Sequence, residues 1–310
     1  MTPEFRPVFS GGTGRSGTTL VGKILSRHEF VLAGNPYEIK FLTGKGGLLD
    51  LVDGIPIPST SNILKIVHLI SSGRRFLNLA QSKRNIEELE KRILYDWWER
   101  PGKRGGTAGL HLGFSLPALN AEIKQLKLEY RKHPLCSTRN FFYKVVTSHK
   151  NFENSKVFVD TTPTNIERAH QISELFESAL FIHMQRSGKD TISSVLREPW
   201  GPKRPLAAID WWQKKLQSAN RAIRQLGPDQ CLNIRLEDLV AEKRTETYKE
   251  ILNFLKISDQ EQMNKYFVEE VDGDRAHIGR WKSDERLDNE FHRKFNRAVS
   301  ELLDEGIPAY

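Results

Sequence analysis

Cysteine is nearly absent: the 310-residue chain carries two, Cys136 and Cys231. Two thiols cannot build the disulfide framework of a small secreted scaffold. The apolar run around Cys231 marks it as a buried small hydrophobe. No stretch of 18 apolar residues occurs, and residues 1–7 contain no apolar core of a signal peptide. Neither a membrane-spanning helix nor a secretory leader is expected. A soluble cytoplasmic protein is the expectation, and a Golgi-lumen location would require that an N-terminal anchor had been removed. Internal repeats and low-complexity tracts are missing, which excludes solenoid architectures. No carboxylate cluster or His/Cys spacing suits a metal, so no metal is expected. No basic run interleaved with aromatics is found, so nucleic acid is not an expected partner.

What is present is length and positive charge. A chain of 310 residues can bury a full core, and the formal net charge is +8. That excess suits a polyanion, including a small ligand with several phosphates. Residues 6–10 form an apolar strand candidate that runs into the glycine-rich stretch 11–17. Residues 18–27 then read as a helix with Leu20, Val21, Ile24 and Leu25 on the buried side. Strand, glycine loop and helix open a nucleotide-binding βαβ unit. Residues 30–33 are a second strand candidate.

From about 44 to 150 the pattern is helical, with helices expected over 63–70, 85–98 and 116–132 and a Gly- and Lys-rich loop over 102–109. Strands return at 156–159, 179–184 and 231–235. They alternate with helices over 166–176 (capped by Thr164 and Glu167 in a capping box), 190–196, 210–225 and 247–255. The tail 271–289 is polar. Alternating strands and helices predict an α/β, P-loop-like three-layer fold with a central, mainly parallel sheet. Residues 1–310 are read as one domain carrying a helical insertion at about 44–150, and ligands are expected at the carboxyl ends of the strands.

The segment Gly12-Thr13-Gly14-Arg15-Ser16-Gly17-Thr18-Thr19 has the spacing of a Walker A loop with threonine in place of lysine. Backbone N–H groups of such a loop and of the following helix converge on an oxyanion. Arg15 supplies a cation inside the loop, and Thr18 and Thr19 supply hydroxyls. The missing lysine argues against ATP or GTP hydrolysis. A P-loop small-molecule kinase and a non-enzymatic nucleotide-binding protein are the rival readings.

Arg15-Ser16-Gly17-Thr18-Thr19 resembles the 5′-phosphosulfate loop of sulfotransferases that use 3′-phosphoadenosine-5′-phosphosulfate (PAPS). In that family a strand ending in arginine, with serine eight residues on, binds the 3′-phosphate. Here Phe181-Ile182-His183-Met184-Gln185-Arg186 and Ser194 match it. Arg235-Leu236-Glu237-Asp238-Leu239 resembles a structural segment of the family. Gly279-Arg280-Trp281-Lys282 resembles its late G-x-W-K element, which folds over the cofactor. The pattern is closer to carbohydrate- and tyrosine-type or bacterial members, because phenol-type members carry lysine where this chain has Arg15.

The resemblance implies a sulfotransferase that moves a sulfuryl group from PAPS to an acceptor hydroxyl, on a small molecule or glycan with carbohydrate or glycolipid as the expected acceptor, and releases 3′,5′-ADP (PAP). No metal is required. It implies cofactor contacts from Gly14, Arg15, Ser16, Gly17, Thr18, Thr19, Arg186, Ser194, Arg275, Gly279, Arg280, Trp281 and Lys282. It also implies Glu38 as general base, in Gly34-Asn35-Pro36-Tyr37-Glu38-Ile39-Lys40. Arg15 and then Lys40 are the candidates for screening the leaving oxygen. Several relatives have lysine at the position of Thr161, so the chain departs from the pattern there; Thr161 and Asn165 are candidates to face the acceptor. His183, inside an apolar strand, reads as a core histidine.

Overall fold

A computed structural model describes residues 5–53, 75–102 and 105–310, with 75–82 traced by their backbone. In chain order the elements are β1 (Arg6–Gly12), α1 (Thr18–Leu25), β2 (Val31–Ala33), α2 (Leu48–Val52), α3 (Arg75–Lys91), β3 (Arg100–Pro101) and β4 (Thr107–Ala108). They continue with α4 (Leu116–Glu129), α5 (Pro134–Thr147), β5 (Val157–Asp160), α6 (Ala169–Leu175), β6 (Leu180–Gln185), α7 (Gly188–Val195) and α8 (Pro205–Ile223). The last are β7 (Cys231–Arg235), α9 (Arg244–Leu255), α10 (Glu261–Glu270) and α11 (Asn289–Asp304). The chain divides into two compact units. Residues 6–34, 156–173 and 178–310 form the first; Phe5, 174–177 and the described part of 35–155 form the second.

The first unit holds a five-stranded sheet of order β2-β5-β1-β6-β7, with every neighbouring pair parallel. Parallel strands covered on both faces read as unbroken apolar runs, and β1 is buried along all six residues after Arg6. Val8, Val157, Val159, Ile182, Met184 and Ile234 share one buried cluster with side chains of α1, α9 and α10. Burying a side chain of this kind contributes about 1.5–3 kcal/mol. Phe9 and Phe181 point the other way and stack at 5.9 Å. On that side α8 packs against β1 and joins α7 and α11 in a second cluster, where Trp212 stacks on Phe295 at 5.2 Å. Helix, sheet and helix are the three layers that the alternating pattern predicts.

The local readings needed adjustment where tertiary partners compete. The expected Thr164/Glu167 capping box does not form. Pro163 opens a 3-10 turn over Pro163–Arg168 whose N-cap is Thr162, and Glu167 pairs instead with Lys215 on α8 at 2.6 Å. In α1, Val21, Ile24 and Leu25 are buried while Leu20 is only half-buried.

In the second unit α3 passes into a wide π turn at Arg92–Asp96. The ends of the expected glycine-rich loop pair as an antiparallel hairpin, Arg100 with Ala108 and Pro101 with Thr107. Helix α5 had no counterpart in the sequence reading, because Cys136, Ser137, Thr138 and Asn140 in its first half are poor helix formers. Its second half buries Phe141, Phe142, Val145 and Val146, and Phe142 packs on Phe176 at 4.5 Å. The helix expected at 63–70 lies outside the described residues. Among the described residues no helix is long and apolar enough to cross a membrane.

Candidate functional site

In this strand order the chain leaves β1 toward β2 on one side, while β6 lies on the other. The crevice at the carboxyl ends of β1 and β6 is therefore the switch point where α/β sheets bind ligands. The loop after β1 fills it. Gly14, Arg15 and Gly17 have φ of 80°, 61° and 97°, the left-handed region that glycine tolerates and arginine rarely adopts. Gly17 is the N-cap of α1, and no side chain caps its first amides. A Cβ on Gly12 would come within 2.3 Å of Ser16 Oγ and 2.4 Å of the Met184 carbonyl oxygen, so only glycine fits there. Ser16 is fully buried, and its Oγ has no hydrogen-bond partner. Thr18 is buried and Thr19 half-buried.

Arg186, at the end of β6, ties two distant loops together. Its Nη1 donates to the Arg15 carbonyl at 3.1 Å; its Nη2 donates to the carbonyls of Ala276 and His277 at 3.1 and 2.8 Å. Asp190, on the first turn of α7, clamps the same late loop through its carboxylate. It accepts from Gly279 N–H at 2.8 Å and from Trp281 N–H at 3.1 Å. Arg15 Nε donates to Ser194 Oγ at 2.9 Å, and Arg15 Nη1 pairs with Glu198 at 3.1 Å. The two motifs that the sequence reading assigned to opposite ends of one ligand are thus in direct contact.

The electrostatics of the crevice are strained. Burial lowers the pKa of the Arg186 guanidinium; Asp190 and Glu237 oppose this, while the positive charges of Arg15 and Arg280 lower it further. Arg186 Nε–H is buried without a partner. A second backbone clamp fixes the strand end: Ser187 N–H donates to Glu237 at 2.9 Å. The charges of Arg15 and Arg280 both bear on Arg186, and with the unpaired buried Arg186 Nε and Ser16 Oγ they form a site that an anion would relieve.

The other expected site residues distribute as follows. Arg280 and Lys282 are exposed on the 3-10 turn Arg280–Ser283. The Trp281 ring lies under Lys189 Nζ, 4.5 Å from its centroid. Arg275 is committed to its own segment, pairing with Glu270 and with Asp272 at 3.4 Å. Asp160 accepts from Thr162 Oγ at 2.9 Å and from Asn165 Nδ2 at 2.7 Å. Asn165 is fully buried, and its amide is spent on that carboxylate. Glu38 and Lys40 belong to the second unit, 3.9 Å apart as an ion pair. Lys40 has φ of 59°, which turns the chain sharply just after Glu38. Burial lowers the pKa of His149, whose Nε2 contacts the Asn35 carbonyl at 2.8 Å and so fixes the start of this segment.

Residues 88–261, more than half of the chain, match the family described as the Sulfotransferase family. The chain belongs to this family. The matched stretch includes Arg186, Asp190, Ser194 and Glu198. Among solved structures the sulfotransferase is similar to the sulfotransferase domain of the olefin synthase of Synechococcus PCC 7002. That likeness has 18% identity and a TM-score of 0.55, over 97% of this chain and 96% of that one. It is also similar to the sulfotransferase domain from the curacin biosynthetic pathway, at 15% identity and a TM-score of 0.50, over 99% of both chains. At such identities the likeness is one of fold, and it agrees with the P-loop-like α/β class. No curated protein matches the chain in sequence.

Three residues of the sulfotransferase crevice were missed in the sequence. Asp190 sits between the two residues of the Arg186/Ser194 motif, and an acid at a helix N-terminus carries by itself no sign of a ligand site. Glu198 and Trp200 follow α7. Trp200 is 55% exposed, donates from Nε1 to Glu198 at 3.1 Å, and approaches Gly14. Their local sequence carries no signal; only the packing of α7 against the loop brings them there.

Proposed function

We propose that this sulfotransferase takes a sulfuryl group from PAPS, passes it to an acceptor hydroxyl on a small molecule or glycan, and releases 3′,5′-ADP. The observation that carries the donor assignment is the contact of Arg186 Nη1 with the Arg15 carbonyl beside the glycine loop, with the charges of Arg15 and Arg280 both bearing on Arg186. A nucleotide with phosphates at both its 5′ and 3′ positions has enough negative charge to satisfy all three, and ADP lacks the 3′ group. The loop amides and Ser16 suit the 5′ end, while Arg186 Nε, Arg280 and Ser194 suit the 3′ end.

PAPS supplies sulfur bonded to a phosphate that leaves readily. In the transfer, the acceptor oxygen bonds to sulfur, the bond from sulfur to the phosphate oxygen breaks, and its electron pair departs with the phosphate. Glu38 takes the acceptor proton. Arg15 and the loop amides screen the charge that develops on the leaving oxygen, with Lys40 as the alternative cation. The protein's contribution is positioning and preorganised electrostatics, as in phosphoryl transfer.

Two measurements test this. By calorimetry, 3′,5′-ADP binds at least tenfold more tightly than ADP; equal affinities would overturn the donor assignment. With radiolabelled PAPS and an acceptor panel, Glu38→Gln lowers turnover by about 10²–10⁴-fold, the usual contribution of a general base, and leaves 3′,5′-ADP affinity unchanged. Undiminished turnover would remove Glu38 from the mechanism.

A further inference from the structure

A second polar cavity lies in the first unit, at the β6–β7 edge of the sheet, and contains no residue of the phosphate loop. Its floor is four side chains on one face of paired strands, His183 beside Asn233 and Gln185 beside Arg235. Leu216, Asn220 and Ile223 of α8 form one wall, at the spacing of a single helix face. The segment Ile307–Tyr310 forms the other, and the cavity measures about 360 Å³. Five of these floor and helix-wall positions are polar: His183 and Gln185 are buried, Arg235 and Asn220 half-buried, and Asn233 on the edge strand exposed.

The hydrogen-bond demand of this cavity is unmet. Asn233 Oδ1 can only accept, so His183 Nδ1, 2.9 Å away, carries the proton and donates to it. Nε2 of the same ring is then a bare acceptor, and it is buried without a partner. His183 is 4% exposed. No hydrogen bond joins the side-chain amides of Gln185 or Asn220 to any described residue. An unsatisfied buried polar group such as His183 Nε2 costs about 1–3 kcal/mol, so it signals something that satisfies it. The only cation, Arg235, is neutralised by Asp238 at 3.5 Å and Glu242 at 3.4 Å and lies over the Tyr310 ring at 4.5 Å. Arg235 Nε and Asp238 Oδ1 are also buried without a partner, so this pair adds one donor and one acceptor but no net positive charge to draw an anion. The groups that remain call for a neutral ligand whose atoms both donate and accept.

We propose that this cavity binds a neutral polyhydroxylated molecule of about one pyranose ring, with a hydroxyl donating to His183 Nε2 and others bridging Gln185, Asn220 and Asn233. Hydroxyls donate and accept at once, which matches mixed amides and a lone imidazole acceptor. The volume lies at the lower end of small-molecule sites, and the exposed Tyr310 lines it beside Arg235.

The test is saturation-transfer NMR on the full chain with the methyl glycosides of glucose, galactose, mannose and N-acetylglucosamine. At least one receives saturation, the ¹⁵N resonance of His183 Nε2 shifts with it, and excess 3′,5′-ADP does not displace it. Asn220→Leu, on the helix wall, weakens that binding at least tenfold and leaves 3′,5′-ADP affinity intact. If no glycoside receives saturation, the cavity holds water and the proposal fails. It fails equally if 3′,5′-ADP displaces the sugar or if Asn220→Leu binds it as wild type does. Should that variant not fold, the wild-type Nε2 resonance decides: a signal unmoved by sugar overturns the assignment.

Discussion

The crevice between β1 and β6 and the cavity at the β6–β7 edge share strand β6, with Arg186 at one site and His183 at the other, three residues apart. They manage buried polarity in opposite ways. In the crevice a buried cation is kept charged by backbone carbonyls of two loops and by the nearby carboxylates of Asp190 and Glu237. What is left over there is a demand for negative charge. In the cavity the buried base is held neutral: burial pushes the His183 imidazole down to about 4. The single cation nearby is already paired, so what is left over is a demand for hydrogen bonds. Net charge, more than shape, separates the ligands that the two faces of one strand can take.

The largest test of this contrast concerns His183. Its pKa in the folded chain lies below the ordinary value of 6.5, so the unfolded chain binds the proton more tightly. Stability is then fullest above pH 6.5 and falls as the pH drops toward 4, by about 3 kcal/mol. Urea melts of the wild type and of His183→Gln measure this difference; Arg235 and Asp238, which share the cavity, are present in both proteins. Parallel stability curves for the two proteins would break the comparison.

Next comes Arg186→Ala, which leaves three loop carbonyls without their donor and removes the central charge. It weakens 3′,5′-ADP by about 100-fold, within the range for truncating a buried hydrogen-bonded charge. Arg186→Lys does not restore binding, because one ammonium cannot reproduce the fork. Calorimetry that finds full affinity in either variant would show the crevice to be no more charge-selective than the cavity. The smallest effect is that of Asp190→Asn, which keeps the shape and loses the charge that holds Gly279 and Trp281 N–H groups. Hydrogen exchange at those two amides accelerates and 3′,5′-ADP affinity falls by about tenfold, the loss of one charge-assisted hydrogen bond. Unchanged protection of both amides would remove Asp190 as the support of the late loop.

Much of the first unit was legible because its signals are local. A strand such as Cys231–Arg235 shows as a short apolar-rich run, and a phosphate loop shows as glycines between a strand and a helix. The helix α11 was not read, although its Phe291, Phe295, Ala298 and Leu302 lie on one buried face, because seven of its sixteen residues are charged or histidine and obscure that apolar stripe. The Thr164/Glu167 capping box failed for the opposite reason. The local motif was present, but Lys215, 48 positions away, offered Glu167 a better partner.

By itself the sequence determined the five strands of the sheet and the helices that alternate with them, the glycine loop with its internal arginine, and the arginine that ends β6. These depend on propensity, periodicity and backbone sterics within a few residues. Only the tertiary structure decided that Arg15 meets Ser194 across 179 positions, that Arg186 holds Ala276 and His277, and that His183, Asn220 and Asn233 surround one cavity. Such contacts follow from how parallel strands are ordered and which helix covers which face, and no short window of sequence encodes that ordering.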